Sequence, residues 1–227
     1  MNHSIIKQAE DVIEQSFKTY YPNIVIASSF SMEDIVLISI AVRHQPKPRI
    51  IALDTARLPD ETYACAEAVR RRFGITIDWF FPKTAPVQHL ATERGLYSFR
   101  ESIEARKECC RIRKVEPLSR ALTDAKAWIT GIRRDHGITR QSIQRIEIDH
   151  AHRGITKINP LADWDDATLA AYVKDHSLPV SRLYDCGYTS IGCAPCTRAI
   201  KPGDEPRAGR WWWENAEHKE CGLHLGK

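Results

Sequence analysis

Five of the seven cysteines stand where thiol chemistry can occur. Cys109 and Cys110 are adjacent, and Cys193-Ala194-Pro195-Cys196 is a CxxC. Together they supply four thiolates, enough to close a metal site. A CC pair alone also reads as two small buried side chains. The CxxC shifts that balance, and so do Arg106, Lys107, Arg111, Arg113 and Lys114 around the pair. Cations favour the ligating thiolate and offset the negative charge of a thiolate-rich site. Zinc and iron–sulfur both accept four thiolates. Zinc usually draws on two CxxC knuckles, which an adjacent CC fits less well, so the spacing leaves both open and leans to iron–sulfur.

Cys221 differs from these four. It stands in Glu220-Cys221-Gly222-Leu223-His224, near the end of the sequence, beside a glycine that frees the backbone. A thiol there is a candidate nucleophile, with His224 placed to hold an anion or favour the thiolate. The plain alternative is an incidental surface cysteine. Cys65 falls on the apolar face of a helix and reads as core; Cys186 receives no role.

Strands alternating with helices must position these groups. Residues 4–20 carry apolar side chains at helical spacing, and Asn23–Ala27 is a short buried strand. The alternation continues with strands at Arg49–Leu53, Ile75–Phe80, Ala127–Ile132, Ser142–Ile148 and Ile155–Ile158. Helices are expected from Glu33 onward, at Asp60–Phe73, 84–93, about 101–124, and Asp165–His176. This order predicts an α/β fold, a mostly parallel sheet with helices on both faces, followed by an irregular Cys-rich segment after Ser177. Ligands of such sheets sit beyond the carboxyl ends of the strands. The candidate loops there are Ser28–Asp34, Asp54–Pro59 and Gly131–Arg140.

Composition narrows the partners. The chain has 227 residues, 43% hydrophobic and 27% charged, which suits one globular domain. Its longest apolar stretch, Ile35–Val42, is too short to span a bilayer, so no membrane partner is expected. The N-terminus lacks a signal core, and seven is an odd count for a disulfide framework. A cytoplasmic location is therefore expected. The net charge of +4 permits an anionic ligand, but no basic stripe points to nucleic acid. SSFSMED has neither the GK[ST] ending of a Walker loop nor an SGGxDS pattern, which argues against ATP pyrophosphatase chemistry. Glu33 and Asp34 read as first-turn acids. Arg133-Arg134-Asp135 reads as a solvated loop, and Trp211–Trp213 as packing at the base of the tail.

Taken together, SSFSMED (28–34), LDTARLPDETY (53–63), KECCRIRKVEPL (107–118), ITGIRRD (129–135), INPLADW (158–164), GCAPCTRAI (192–200), RAGRWWWE (207–214) and ECGLH (220–224) resemble the assimilatory adenylyl-sulfate reductases. These form the iron–sulfur branch of the adenylyl-sulfate and phosphoadenylyl-sulfate reductase family. The resemblance runs from about Asn23 to His224. It implies an adenine nucleotide alpha hydrolase-like fold, similar to that of the pyrophosphate-loop synthetases. It implies Cys109, Cys110, Cys193 and Cys196 as ligands of one 4Fe–4S cluster and Cys221 as the nucleophile. Lys114, Arg207, Arg210 and His224 match groups that meet the phosphosulfate; Ser28, Ser29, Leu53, Gly131 and Arg140 match the nucleotide loops.

The implied reaction is thioredoxin-dependent reduction of adenylyl sulfate to sulfite and AMP, within sulfate assimilation and cysteine biosynthesis. One reductase domain spans 1–227, with about 201–227 as a mobile tail, and a homo-oligomer is possible. The sequence departs from the family at Ser31 and Ala56, where glycine is common. The nearest alternative is the 3′-phosphorylated substrate, or use of both. A more distant one is a zinc-stapled RNA-binding or RNA-modifying protein.

Overall fold

The computed structural model describes residues 3–136, 140–215 and 223. Six strands form one sheet: β1 (Ile24–Ser28), β2 (Ile50–Leu53), β3 (Ile77–Phe80), β4 (Ala127–Ile129), β5 (Ile146–Asp149) and β6 (Ile155–Ile158). Their order is β3-β2-β1-β4-β6-β5. All neighbours run parallel except β5, which pairs antiparallel with β6. The expected parallel sheet therefore carries one reversed edge strand.

Helices cover both faces. α1 (His3–Tyr20), α2 (Met32–His44), α3 (Asp60–Phe73) and α7 (Asp166–Asp175) contribute to the larger core. In α1 the buried positions Ala9, Ile13 and Phe17 recur every fourth residue, giving one apolar stripe. Burying Ile13 and Phe17 contributes about 1.5–3 kcal/mol each. α2 is buried from Glu33 to Ala41, apolar nearly all round, because it is packed by α1, α3, α7 and the sheet. The other face is closed by Leu118, Ala121 and Leu122 of α6 (Glu116–Ala121) and its end, packed on Val25, Ile51 and Trp128. α4 (Thr84–Arg94) lies outside and buries no residue fully.

The expected helix over 101–124 is broken. A 3-10 turn (Ser98–Arg100) precedes α5 (Ile103–Cys110), then a π-helical turn spans Arg111–Val115 before α6. Pro117 supplies the physical reason. It has no N–H to give the Arg113 carbonyl, and its ring would clash with that carbonyl in a regular α-helix. Widening the preceding turn, with the Glu116 N–H donating to the Arg111 carbonyl, relieves both problems. After α7 the described residues form short 3-10 turns and an isolated bridge between Thr197 and Arg210, as the proline content of this segment predicts.

The winding positions the site. From β1 the chain moves to β2 and β3 on one side, then crosses to β4 on the other side of β1. Loops leaving β1 and β4 therefore diverge above the sheet, and the crevice between them is the natural ligand position.

Candidate functional site

The loop after β1 is built around a buried carboxylate. Ser31, with φ −66° and ψ 164°, caps α2 by accepting the Asp34 N–H at 3.4 Å. Asp34 folds back, and its Oδ2 accepts the Ser29 N–H at 2.6 Å and the Ser29 hydroxyl at 2.8 Å. Burial pushes the Asp34 carboxyl up to about 6; the Ser29 hydrogen bonds oppose this and the charge of Glu33 adds to it. Glu33 is buried as well, accepting from Arg133 Nε at 2.9 Å, while Arg133 Nη2 reaches Asp166 at 2.6 Å. Glu33 and Asp34 do stand in the first turn of α2, as the sequence suggests, but they are buried there, and Arg133 is an interior group instead of part of a solvated loop. Gly131 closes on them from the end of β4. A Cβ there would stand 2.5 Å from Asp34 Oδ1.

The loop after β2 holds the thiols. Asp54 accepts the Ala56 N–H and the Tyr63 hydroxyl, fixing a turn in which Ala56 has φ 56°. The Thr55 carbonyl accepts Arg113 Nη1 at 2.7 Å, and its Oγ1 lies 3.2 Å from Cys193 Sγ. The Ala194 N–H donates to the Arg57 carbonyl, which anchors the CxxC to the same loop.

Cys109, Cys110, Cys193 and Cys196, each less than a tenth exposed, line one small pocket. Arg57, Arg106, Arg113 and Lys114 share its wall with Phe99 and Trp211. Burial alone would raise the Cys193 thiol; Lys114, the Thr55 hydroxyl, Arg210 and Arg57 outweigh it and hold the thiol below its ordinary value. Burial raises Cys109, and burial with the neighbouring Cys193 pushes Cys196 up to about 12.

No group of three or more His, Cys, Asp or Glu among the described residues is drawn together as a shell for a metal ion. The four thiols line a cavity wall instead. Arg113 Nε and Trp211 Nε1 are buried at this pocket with no hydrogen-bond partner, an arrangement that is costly unless something accepts from them. Four thiols to ligate, cations to balance charge and spare N–H donors fit an anionic sulfur-ligated group larger than one ion.

A second cavity of about 210 Å³ opens over the β1–β4 crevice. Ser28, Ser29, Leu53, Gly131 and Arg140 line it, as do Lys114, Arg207 and Arg210. The structure thus brings together eight of the sequence-derived substrate residues. Asp34, Trp79, Trp128 and Tyr184 also line it and were not singled out as substrate-site residues. Asp34 lay within SSFSMED, where its place at a helix start concealed its burial.

Arg210 presses on Gly192, where a Cβ would lie 2.5 Å from Nη2, and stacks on Trp211 at 4.6 Å. Trp211 is 1% exposed, and Arg106 covers it at 4.5 Å while pairing with Glu214 at 2.7 Å. The tryptophans thus pack the base of the tail. Cys221 and His224 lie outside the described residues. Leu223, two residues along the chain from Cys221, lines the cavity. Cys65 is core, and burial raises its thiol to about 11; Cys186 is exposed.

An α/β sheet with a crevice at its switch point, cations around that crevice and four thiols in an adjoining pocket define a nucleotide-binding protein with thiol chemistry. The signature of the phosphoadenosine phosphosulfate reductase domain matches residues 23–199, and the chain belongs to that family. It is 50% identical over 199 residues to an adenosine 5′-phosphosulfate reductase of Burkholderia cepacia, covering 88% of this chain and 79% of that one. A protein of the same description from Allochromatium vinosum is 48% identical, with 89% and 78% covered. Among solved structures, phosphoadenylyl-sulfate reductase from Candida auris superimposes with a TM-score of 0.71 at 26% identity, covering 85% of this chain and 90% of that one.

Proposed function

We propose that the protein reduces adenylyl sulfate to sulfite and AMP through an S-sulfocysteine on Cys221. The observation that carries this reading is a shared wall: Lys114 and Cys193 line both the nucleotide-sized cavity and the thiol pocket. The sulfur under attack is ringed by anionic oxygens, which repel a thiolate. Lys114, Arg207 and Arg210 neutralise that charge, Arg with paired hydrogen bonds, and stabilise charge that develops in the transition state. Ser28, Ser29, Leu53, Gly131 and Arg140 hold the nucleotide, and His224 assists at the sulfate.

In the first step the Cys221 thiolate forms a bond to sulfur, the sulfur–oxygen bond to AMP breaks, and AMP leaves with the electron pair. In the second, a thiolate of a dithiol protein such as thioredoxin attacks Cys221 Sγ, and sulfite leaves with the sulfur–sulfur bonding pair. The partner's second thiol then resolves the mixed disulfide and frees Cys221. The two electrons come from the dithiol. Cys221 must meet the nucleotide and then a protein thiol, which favours its place at the end of an arm beginning near residue 201. The whole chain acts as one reductase unit in the cytoplasm, where such dithiols are kept reduced.

Cys109, Cys110, Cys193 and Cys196 would hold a 4Fe–4S cluster, with Arg57, Arg106 and Arg113 balancing its charge. When bound, that cluster supplies an electrostatic partner for Lys114 instead of electrons for the reaction. Iron and sulfide in equal amounts support this assignment; zinc without iron returns the RNA-binding alternative.

The deciding experiment is mass spectrometry after mixing the protein with adenylyl sulfate and no reductant. A sulfonate adduct on Cys221 is expected. No adduct, or one on another cysteine, overturns the proposal. The same experiment with the 3′-phosphorylated nucleotide separates the two substrates, and faster adduct formation with that form would reverse the substrate choice.

A further inference from the structure

Arg106 and Glu214 form an ion pair that water does not reach. Their side chains are 1% and 5% exposed, and Arg106 Nε donates to Glu214 Oε1 at 2.7 Å. The partners stand 108 residues apart, one in α5 and the other at the end of RAGRWWWE. A buried pair of this kind contributes little net stability, because desolvation offsets the attraction. What it contributes is direction, since a hydrogen bond has a preferred length and angle that apolar packing lacks. It fixes Glu214 relative to the helix that carries Cys109, three residues after Arg106.

The segment so fixed carries cations of the nucleotide cavity. Glu214 closes a turn by donating its N–H to the Trp211 carbonyl at 2.8 Å. Trp211 has φ 41°, a left-handed backbone that a bulky residue holds only where its surroundings impose it. The Trp211 N–H donates to the Cys196 carbonyl at 3.1 Å, and Arg210 bridges Thr197. These backbone contacts tie the segment to the CxxC. The ion pair ties it to α5, a second anchor on a different element. The Trp211 ring meets both guanidinium groups, with Arg106 over it at 4.5 Å and Arg210 at 4.6 Å. Arg106 lines the thiol pocket, and Arg210 lines the nucleotide cavity.

We propose that Arg106 and Glu214 are positioning residues for the anionic end of the nucleotide, holding Arg210 in place through Trp211. The inference rests on the functional reading above, in which Arg207 and Arg210 meet the phosphosulfate. Without the Glu214 carboxylate, Arg106 loses its direction over the indole. The turn at Trp211 then relaxes toward ordinary backbone, and Arg210, the preceding residue, moves with it. The loss falls on the charged end of the ligand. Ser28, Ser29, Leu53 and Gly131 line the cavity from β1, β2 and the loops that leave β1 and β4, so the rest of the nucleotide keeps its contacts.

Equilibrium binding of adenylyl sulfate and of adenosine tests this, on the full-length protein carrying Cys221→Ser so that no adduct forms. That parent is expected to bind adenylyl sulfate more tightly than adenosine. Glu214→Ala should weaken adenylyl sulfate about tenfold, the worth of one charge-assisted hydrogen bond, and leave adenosine within about twofold. Glu214→Gln keeps the shape and an acceptor oxygen, and should weaken adenylyl sulfate about threefold. Should the alanine variant not fold, the glutamine variant decides. Equal losses for the two ligands overturn the inference, because a merely structural pair would loosen the whole site. So does a parent preference for adenylyl sulfate that the folded variants keep unchanged. A parent that binds the two ligands alike overturns the functional reading itself, and this inference with it.

Discussion

Gly131 and Asp34 touch at a point that admits no side chain: a Cβ on Gly131 would lie 2.5 Å from Asp34 Oδ1 and 2.8 Å from Glu33 Cβ. The contact joins the two loops that diverge from the switch point of the sheet. Asp34 holds Ser29 by two hydrogen bonds through its other oxygen. Glu33, meanwhile, is clamped by Arg133. Ser29, Asp34 and Gly131 are therefore one mechanical unit, and its shape is set before any nucleotide arrives.

Gly131→Ala should displace Asp34 and, with it, Ser29. Overpacking of this kind costs about 1–3 kcal/mol of stability. Losing one charge-assisted hydrogen bond's worth of alignment, about 1.5 kcal/mol, corresponds to roughly a tenfold rise in KM for the nucleotide. Denaturant unfolding and steady-state kinetics read the two effects. An alanine variant with native stability and native KM would show that the loops separate without consequence.

Asp34 also sets a pH dependence. Its carboxyl is raised to about 6 chiefly by burial, against the ordinary carboxylate value in the unfolded chain. Between about pH 4 and pH 6 the folded protein retains a proton that the unfolded chain has released. Stability therefore falls as pH rises through that window, by an amount on the order of 2–3 kcal/mol, and is flat with respect to this group above it. Asp34→Asn keeps the shape and removes the titration. Unfolding free energies measured from pH 4 to pH 7 should show the variant gaining on the native protein as pH rises. A constant difference between them would refute the assignment.

Much of this framework was legible in the sequence because the relevant forces are local. α3 was read to the residue, as Asp60–Phe73. The strands were found because parallel sheets buried on both faces give continuous apolar runs. The interior state of Glu33, Asp34 and Arg133 was not legible. It depends on a pairing across 100 residues, and acids at a helix start look alike whether buried or solvated. The π-helical turn was also hidden, since its cause is the single Pro117 in a run of helix-compatible residues. β5 was read as a strand but not as an antiparallel edge, because nothing within six residues encodes direction. The cysteine groups were the clearest chemical signal. Their identities were local, while their meeting in one pocket required the β2 loop to carry the CxxC to α5.

The two departures from glycine have different consequences. Ser31 adopts an extended backbone open to any residue and gains a capping hydroxyl. Ala56 has φ 56°, a left-handed conformation that disfavours a Cβ. That conformation costs an L-residue about 1–2 kcal/mol, partly offset by the smaller unfolded-state entropy of alanine relative to glycine. Ala56→Gly should therefore stabilise the fold by about 0.5–1 kcal/mol. Chemical denaturation checks this, with an unchanged slope and a higher midpoint expected. A lower midpoint would mean that Asp54 and Tyr63 already favour alanine in the turn.

The partition of the cysteines gives the last prediction its contrast. Cys193 lies in the wall between cavity and pocket, 3.2 Å from Thr55 Oγ1 and under the influence of Lys114. Cys65 is also buried, yet it lies in the main core against the Pro179 carbonyl at 3.9 Å. Cys193→Ala should lose bound iron, sulfide and turnover together, because three thiolates leave one ligand position open. Cys65→Ala removes only a small core group and should cost about 1–2 kcal/mol while iron content and turnover persist. Metal analysis of the two purified variants, with sulfite release measured beside it, separates ligation from packing. If Cys193→Ala retained its iron in full, the four-thiol assignment would fail. If Cys65→Ala lost iron, the pocket would depend on the core in a way that the geometry does not provide for.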